Sequence, residues 1–454
     1  MSSGIRIRRD RSALSDGSLF GHRRRGLARW KIGLWLLIFA TAMIVLWQRA
    51  KVQPVVLAMI GNAPTATPDN VTYAQRGYTA FLQGNLEMAI DNYCLASHGV
   101  NYPTFSSPRC DPPKSDSADA RQVDVGIAYE LMRVLIYRSY DDRRLGIYDQ
   151  DAENWGQLLT SVFPKDERAH AIYSFALTNN NHAEQAVPEG LTALGLNKQD
   201  GEAHAYLSAA YYASARYSDA VTEGEQAITL APQSVDAHIS AAQALFITSQ
   251  YDAAQNEYQA AITINPRLGL SYFYLAAFFV FRNQQEAAIA EYDQVLALDN
   301  KSVKAYTRKC AAYFNIGVTD KALANCQNAT TLDKTYTDAW KWQGQVLYNR
   351  RDYEDALGSF STCRDLENEA VQKNEIKTGD RLPECWYLAG LTYYLLGKCD
   401  KAYPLFNEVL GFTDNTQAIR LTRKGIEGCG ATNPNIPTPT LLPTIAPVPA
   451  PILN

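Results

Sequence analysis

The chain has 454 residues, 46% hydrophobic and 20% charged, enough for several compact domains or for one long array. Its net charge of −4 is unevenly spread: residues 1–31 hold eight arginines and Lys31 against Asp10 and Asp16, or +7, and Arg49 with Lys51 add +2, which leaves −13 for residues 52–454. So acidic a body excludes nucleic-acid binding, which needs a cationic surface to release counterions.

Residues 1–29 form the basic segment, and residues 30–48 follow as a predicted transmembrane signal anchor. Ile32 to Trp47 carries no charge and is flanked by Trp30, Lys31 and Arg49. A helix of that length spans roughly 24 Å at ~1.5 Å per residue, and its flanks extend it toward the ~30 Å of a bilayer core. A secretory signal has a shorter apolar stretch and a small-residue cleavage site. The nearest such site here, Gly61-Asn62-Ala63, is followed by Pro64, so an uncleaved anchor is expected and a cleaved signal is the alternative. The excess of positive charge before the span places the N-terminus in the cytoplasm and the rest of the chain outside it. Residues 49–69, with Pro54, Pro64 and Pro68, read as a stalk.

Beyond the stalk the chain repeats. Ala152, Ala186, Ala220, Ala254, Ala288, Ala322 and Ala356 are each 34 residues apart, and Ala89 and Ala402 extend the series across two insertions. Twelve residues before these alanines stand Gly77, Tyr140, Ser174, Ser208, Ala242, Ala276, Cys310, Gly344 and Gly390, all small but Tyr140. Small residues at two such sites let antiparallel helices approach closely, so each unit is predicted to be a helical hairpin. The fourth residue of each unit is Tyr73, Ile136, His170, His204, His238, Tyr272, Tyr306, Trp340 or Trp386. Tyr93, Tyr258, Tyr292, Phe360 and Phe406 follow the repeating alanine by four and share its buried stripe.

A 34-residue unit with an aromatic at position 4, small residues at 8 and 20, an aromatic at 24, Ala at 27 and Pro at 32 resembles the tetratricopeptide repeat, here of a membrane-anchored, bacterial type. Trp340, Gly344, Leu347, Ala356 and Phe360 match the pattern in one unit, and Trp386, Gly390, Tyr393, Ala402 and Phe406 in another. The resemblance implies an all-α, right-handed solenoid of about nine hairpins over residues 70–430, starting at 70, 133, 167, 201, 235, 269, 303, 337 and 383. The unit at 133 departs most, with Ile136, Tyr140 and Arg143 at inner positions. Insertions fall at 104–132, partly a Pro/Ser loop, and at 371–382. A capping helix near 415–427 closes the last exposed face. Residues 431–454, uncharged and with seven prolines, form a tail that reads as a spacer or as a docking peptide.

No GxxxxGK[ST], GxSxG, HExxH or CxxC occurs, so no enzyme and no cofactor is expected. His170, His204 and His238 ladder along successive hairpins. Neighbouring hairpins lie roughly 10 Å apart against a Zn–N bond of about 2 Å, so the histidines are read as packing and not as metal ligands. Cys94, Cys110, Cys310, Cys326, Cys363, Cys385, Cys399 and Cys429 are an even eight on the oxidising side of the membrane, and at least two disulfides are expected. Cys310 with Cys326 and Cys363 with Cys385 are geometrically reasonable pairs.

The resemblance also implies that function lies in a concave groove drawn from positions 2, 5, 9, 12 and 13, holding an extended peptide or a helix of a protein partner. The groove residues expected to make contact are Phe175, Tyr212, Gln243, Phe246, Phe273, Phe314, Lys341, Gln345, Tyr348 and Tyr394. Position 12 gives a row of rings, which reads either as groove wall or as an adhesive stripe for a protein segment. A cell-wall polysaccharide stacked on the same rings is the alternative, and an enzyme site hidden in the insertion at 104–132 is a minor one.

Overall fold

The computed structural model describes residues 69–98, 110–141, 147–373 and 375–430. The basic segment, the anchor, most of the stalk and the proline-rich tail lie outside these residues. Among the described residues no helix is long and apolar enough to cross a membrane.

The folded body is all-helical. Its α-helices are α1 (Asn70–Leu82), α2 (Leu86–His98), α3 (Val125–Asp141), α4 (Ile147–Val162), α5 (Glu167–Asn179), α6 (Ala183–Leu196), α7 (Gly201–Ala213), α8 (Tyr217–Leu230), α9 (Val235–Ile247) and α10 (Tyr251–Ile264). They continue as α11 (Gly269–Phe281), α12 (Gln285–Leu298), α13 (Val303–Asn315), α14 (Thr319–Leu332), α15 (Thr337–Arg350), α16 (Tyr353–Gln372), α17 (Glu384–Leu395), α18 (Cys399–Phe412) and α19 (Thr416–Gly430). Short 3₁₀ turns at Ala120–Gln122 and Thr378–Asp380 fall in the two insertions.

Each hairpin is built by the same local devices. The residue before a first helix caps it: Asp69, Asp166, Asp200, Ser234 and Ser302 each accept a backbone N–H of the first turn. The fifteenth residue of eight units is left-handed, namely Gly84, Asn181, Ala215, Ser249, Asn283, Gly317, Arg351 and Gly397. The small eighth residue receives the ring of the twenty-fourth. A Cβ on Gly344 would stand 2.5 Å from the Phe360 ring, and one on Gly390 2.4 Å from that of Phe406. Where the eighth residue is serine, its hydroxyl donates to the carbonyl of the repeating alanine, Ser174 to Ala186 at 2.8 Å and Ser208 to Ala220 at 2.7 Å. In the unit starting at 303 the same contact is covalent, through Cys310 and Cys326.

All eight cysteines are paired: Cys94 with Cys110, Cys310 with Cys326, Cys363 with Cys385 and Cys399 with Cys429. Cys110 is further fixed on α4, its N–H donating to Asp151 at 3.1 Å while its carbonyl accepts the Trp155 indole N–H at 2.6 Å.

First helices pack on first helices, α3 on α5, α5 on α7 and α7 on α9, whereas among the described residues successive second helices do not pack to that extent. The first helices therefore line the inner face. That packing thins between α9 and α11 and thins further between α11 and α13.

Candidate functional site

The expected groove holds a helix of this same chain. The helix α3 begins at Val125, eight residues ahead of the unit boundary at 133. Tyr129, Arg133 and Tyr137 recur every four residues and so share one face. That face meets the second residue of successive units. The Tyr129 hydroxyl donates to Glu202 and lies 3.0 Å from the Tyr206 hydroxyl; Tyr137 donates to Asp236, which also accepts from Tyr206 at 2.9 Å. A guanidinium nitrogen of Arg133 donates to Glu202 at 3.4 Å. At the end of α3, Lys304 donates to the Tyr140 carbonyl, and its Nζ lies 3.3 Å from the centre of the Tyr140 ring. A cation at a helix C-terminus is favourably placed against the helix dipole. The Tyr140 ring packs at 5.6 Å on Phe273 and 5.3 Å on Tyr274, beside the place where α11 and α13 part.

This helix is core and not a displaceable lid. Leu131, Met132, Val134 and Leu135 are fully buried on its other faces, and each such side chain is worth ~1.5–3 kcal/mol in transfer from water alone. The bulky Ile136 and Tyr140, anomalous for a hairpin's small-residue slots, fit a helix that spans the groove. Position 2 is where sequence reasoning stopped short: it was counted among the groove positions, but the Glu202, Asp236, Lys304 and Asp338 that stand there were not singled out. Burial pushes the Asp236 carboxyl up to about 6, against the pull of Arg133 and with Glu202 adding to the rise.

The ten expected groove residues are dispersed by this arrangement. Phe175 stacks on Tyr206 at 4.5 Å, and Phe273 lies under Tyr140. Three rings of position 12 pack on the first residue of the following helix, Tyr212 on Tyr217 at 6.1 Å, Phe246 on Tyr251 at 6.0 Å and Tyr348 on Tyr353 at 6.1 Å. Phe314 packs at 6.0 Å on Trp342. Phe246, Phe314 and Tyr348 are 9, 7 and 9% exposed, so they form wall more than contact surface. Lys341 pairs with Asp338 at 2.6 Å, Gln345 is buried and Gln243 half-buried. Tyr394 meets the capping helix, where a Cβ on Gly428 would stand 2.9 Å from its ring.

The histidine ladder has a structural task. In His170, His204 and His238, Nδ1 lies 2.6 Å from Glu189, Glu223 and Glu257, and Nε2 3.1–3.2 Å from the carbonyls of Pro164, Lys198 and Pro232. Tyr272 and Trp340 reach the carbonyl six residues back in the same way, at 3.0 and 2.8 Å. In these five units position 4 is thus a ring with a donor that ties the hairpin to the loop before it. Cys94, His98 and Cys110 have ligand atoms close together, but both sulfurs are bonded to each other.

A cleft of about 790 Å³ opens beside α3, between the end of α1 (Tyr78, Phe81, Leu82), the α3 side chains Glu130, Arg133 and Tyr137, and the loops 197–202, 230–235 and 264–265. The far side is held by the first hairpin's turn. Gly84, at φ +78°, abuts the Arg267 carbonyl so closely that a Cβ would stand 2.3 Å from that oxygen.

Residues 235–268 match the family model described as the tetratricopeptide repeat. Solved structures are similar at low identity. The yeast Tom70 structure is 12% identical with a TM-score of 0.47, covering 79% of this chain and 82% of its own. The Cut9–Hcn1 hetero-tetramer of APC/C gives 14% and 0.45, covering 86% and 82%. YrrB, a TPR protein with an unusual peptide-binding site, gives 18% and 0.32, covering 41% and 98%. No curated protein matches.

Proposed function

We propose that this protein is a membrane-tethered scaffold outside the cytoplasm that binds a polypeptide partner at the cleft beside α3. Tetratricopeptide scaffolds generally mediate protein–protein interactions. The observation that carries the location is the filled groove: α3 occupies the inner face from α7 to α13, and the open concavity left beside it is lined by ring edges, carboxylates and loop backbone. Concave sites with apolar walls and a few convergent polar groups are the usual ligand sites of folded proteins. The tether rests on the charge-free run at 32–47 and its basic N-terminal flank.

Two measurements test this reading. A reporter active only outside the cytoplasm, fused after Pro451, is expected to be active, and cytoplasmic activity would overturn the topology. A photo-crosslinking residue at Tyr78, 51% exposed on the cleft lip, is expected to capture a protein in intact membranes. The same residue at Leu332, 43% exposed at the end of α14, is expected not to. Equal capture at both positions, or none at Tyr78, would remove the cleft as the partner site.

A further inference from the structure

Resting on the reading that the cleft is the partner site, we propose that its occupant is a cationic polypeptide segment, with a lysine or arginine side chain seated among Glu130, Asp200 and Glu202. These three carboxylates line a cleft in which, among the described residues, Arg133 is the one lining cation, and Arg133 is shared between Glu130 and Glu202. Asp236, held by Tyr137 and Tyr206, adds a fourth carboxylate beneath. In so partly screened a place an added cation interacts far more strongly than on an open surface. Burial holds the carboxyls of Glu130 and Asp200 above their ordinary range, so an incoming cation relieves both.

An independent observation points to backbone as well as charge. Asn265, in the cleft wall and 6% exposed, accepts the Arg267 N–H at 3.1 Å through its side-chain oxygen, but its Nδ2 has no partner. A buried amide donor left unpaired is costly, and the carbonyl of a bound segment is the acceptor it lacks. Tyr78 and Leu82, 51 and 47% exposed at the lip, offer apolar surface for an aliphatic stem. Cationic head, aliphatic stem and peptide carbonyl together describe one lysine or arginine within a chain.

The test is a fluorescence-anisotropy titration of the full-length chain in detergent. The probes are a labelled twelve-residue peptide of lysine, alanine and tyrosine, and the same peptide with glutamine for lysine. The lysine peptide is expected to bind at least tenfold more tightly. Glu130→Gln with Asp200→Asn should abolish that preference, and since asparagine caps a helix as well as aspartate does, the start of α7 and the fold are preserved. Glu354→Gln with Asp355→Asn, which removes the same charge from an exposed stretch of α16, should leave it intact. Where the cleft double variant melts early, Glu130→Gln alone carries the comparison. Equal binding of the two peptides, or a preference that survives at the cleft variant, would overturn the proposal. Self-association of the chain that is abolished by Arg420→Gln with Arg423→Gln and equally by the cleft variant would uphold it, with α19 of a second copy as the cationic segment. A partner captured at Tyr78 without any lysine preference would keep the cleft as a partner site and overturn only its ligand class.

Discussion

The front of the array, from α1 to α13, and the rear, from α13 to α19, share one hairpin design and are stiffened by opposite means. In the front, one helix reaches across the array. The partners of α3 lie 73, 99 and 164 residues ahead, at Glu202, Asp236 and Lys304, and a single disulfide stands at its edge. In the rear no such helix crosses the described residues. Three disulfides staple segments 16, 22 and 30 residues apart, and the ion pair of Lys341 with Asp338 lies within one helix. Stacked repeats otherwise touch only their neighbours, so an array gains rigidity either from covalent local staples or from an element that leaves the repeat pattern. This chain uses both.

The largest expected effect is on the rear. A loop of about 15 residues closed by a disulfide contributes roughly 3 kcal/mol, so full reduction should melt α14–α19 well before α5–α11. Hydrogen exchange with and without reductant resolves the halves, and equal loss of protection in both would break the comparison. Next is Leu135→Ala in α3. It removes a fully buried side chain at a cost of about 2–5 kcal/mol, and should release front amides from α5 to α11 while the stapled rear keeps its protection. Loss confined to α3 itself would show that it is a passenger.

Acidity should divide the halves as well. The Glu223 hydrogen bond holds the His204 imidazole above its usual range despite burial, so its contribution is complete below about pH 6.5 and is lost as pH rises through the raised value. Asp236, with its pKa raised to about 6, likewise disfavours the folded front as pH climbs from about 4 through 6. In the rear, burial pushes Asp338 up but Lys341 and Arg308 pull it down further, to about 2, so its contribution is lost only as pH falls below about 4. Melting curves from pH 3 to 9 should therefore show the front weakening as pH rises, first from about 4 to 6 and again above about 6.5, and the rear weakening only as pH falls below about 4. Asp236→Asn should flatten the front's loss of stability between about pH 4 and 6, and an unchanged slope in that window would exclude this carboxyl as its source. The smallest effect is at the hairpin turn. Ala215→Gly, at φ +57°, should stabilise by about 0.5–1 kcal/mol, seen as a higher denaturation midpoint.

Nearly all of the local architecture was legible in the sequence, because a hairpin is decided within its own 34 residues. The alanine step gave the register, the small eighth residues gave the close approach that Phe360 and Phe406 exploit, and positions 8 and 24 of one unit made Cys310 with Cys326 a reasonable pair while leaving the connectivity open. The position 4 histidines were read as packing, and the hydrogen bonds by which this position reaches a carbonyl six residues back appear only in the structure. The destination of α3 was not legible. Its warning was present, since Ile136 and Tyr140 do not fit a hairpin's inner slots, but a misfit tells only that a rule is broken. Which residues Tyr129, Tyr137 and Tyr140 meet depends on how far each hairpin rotates on the last. That rotation, accumulated over several units, brings Glu202, Asp236 and Lys304 to one face. Period and local packing are properties of one unit and can be read in a line of sequence; the closing of the groove around its own helix is a sum over many small angles, and only the tertiary structure performs it.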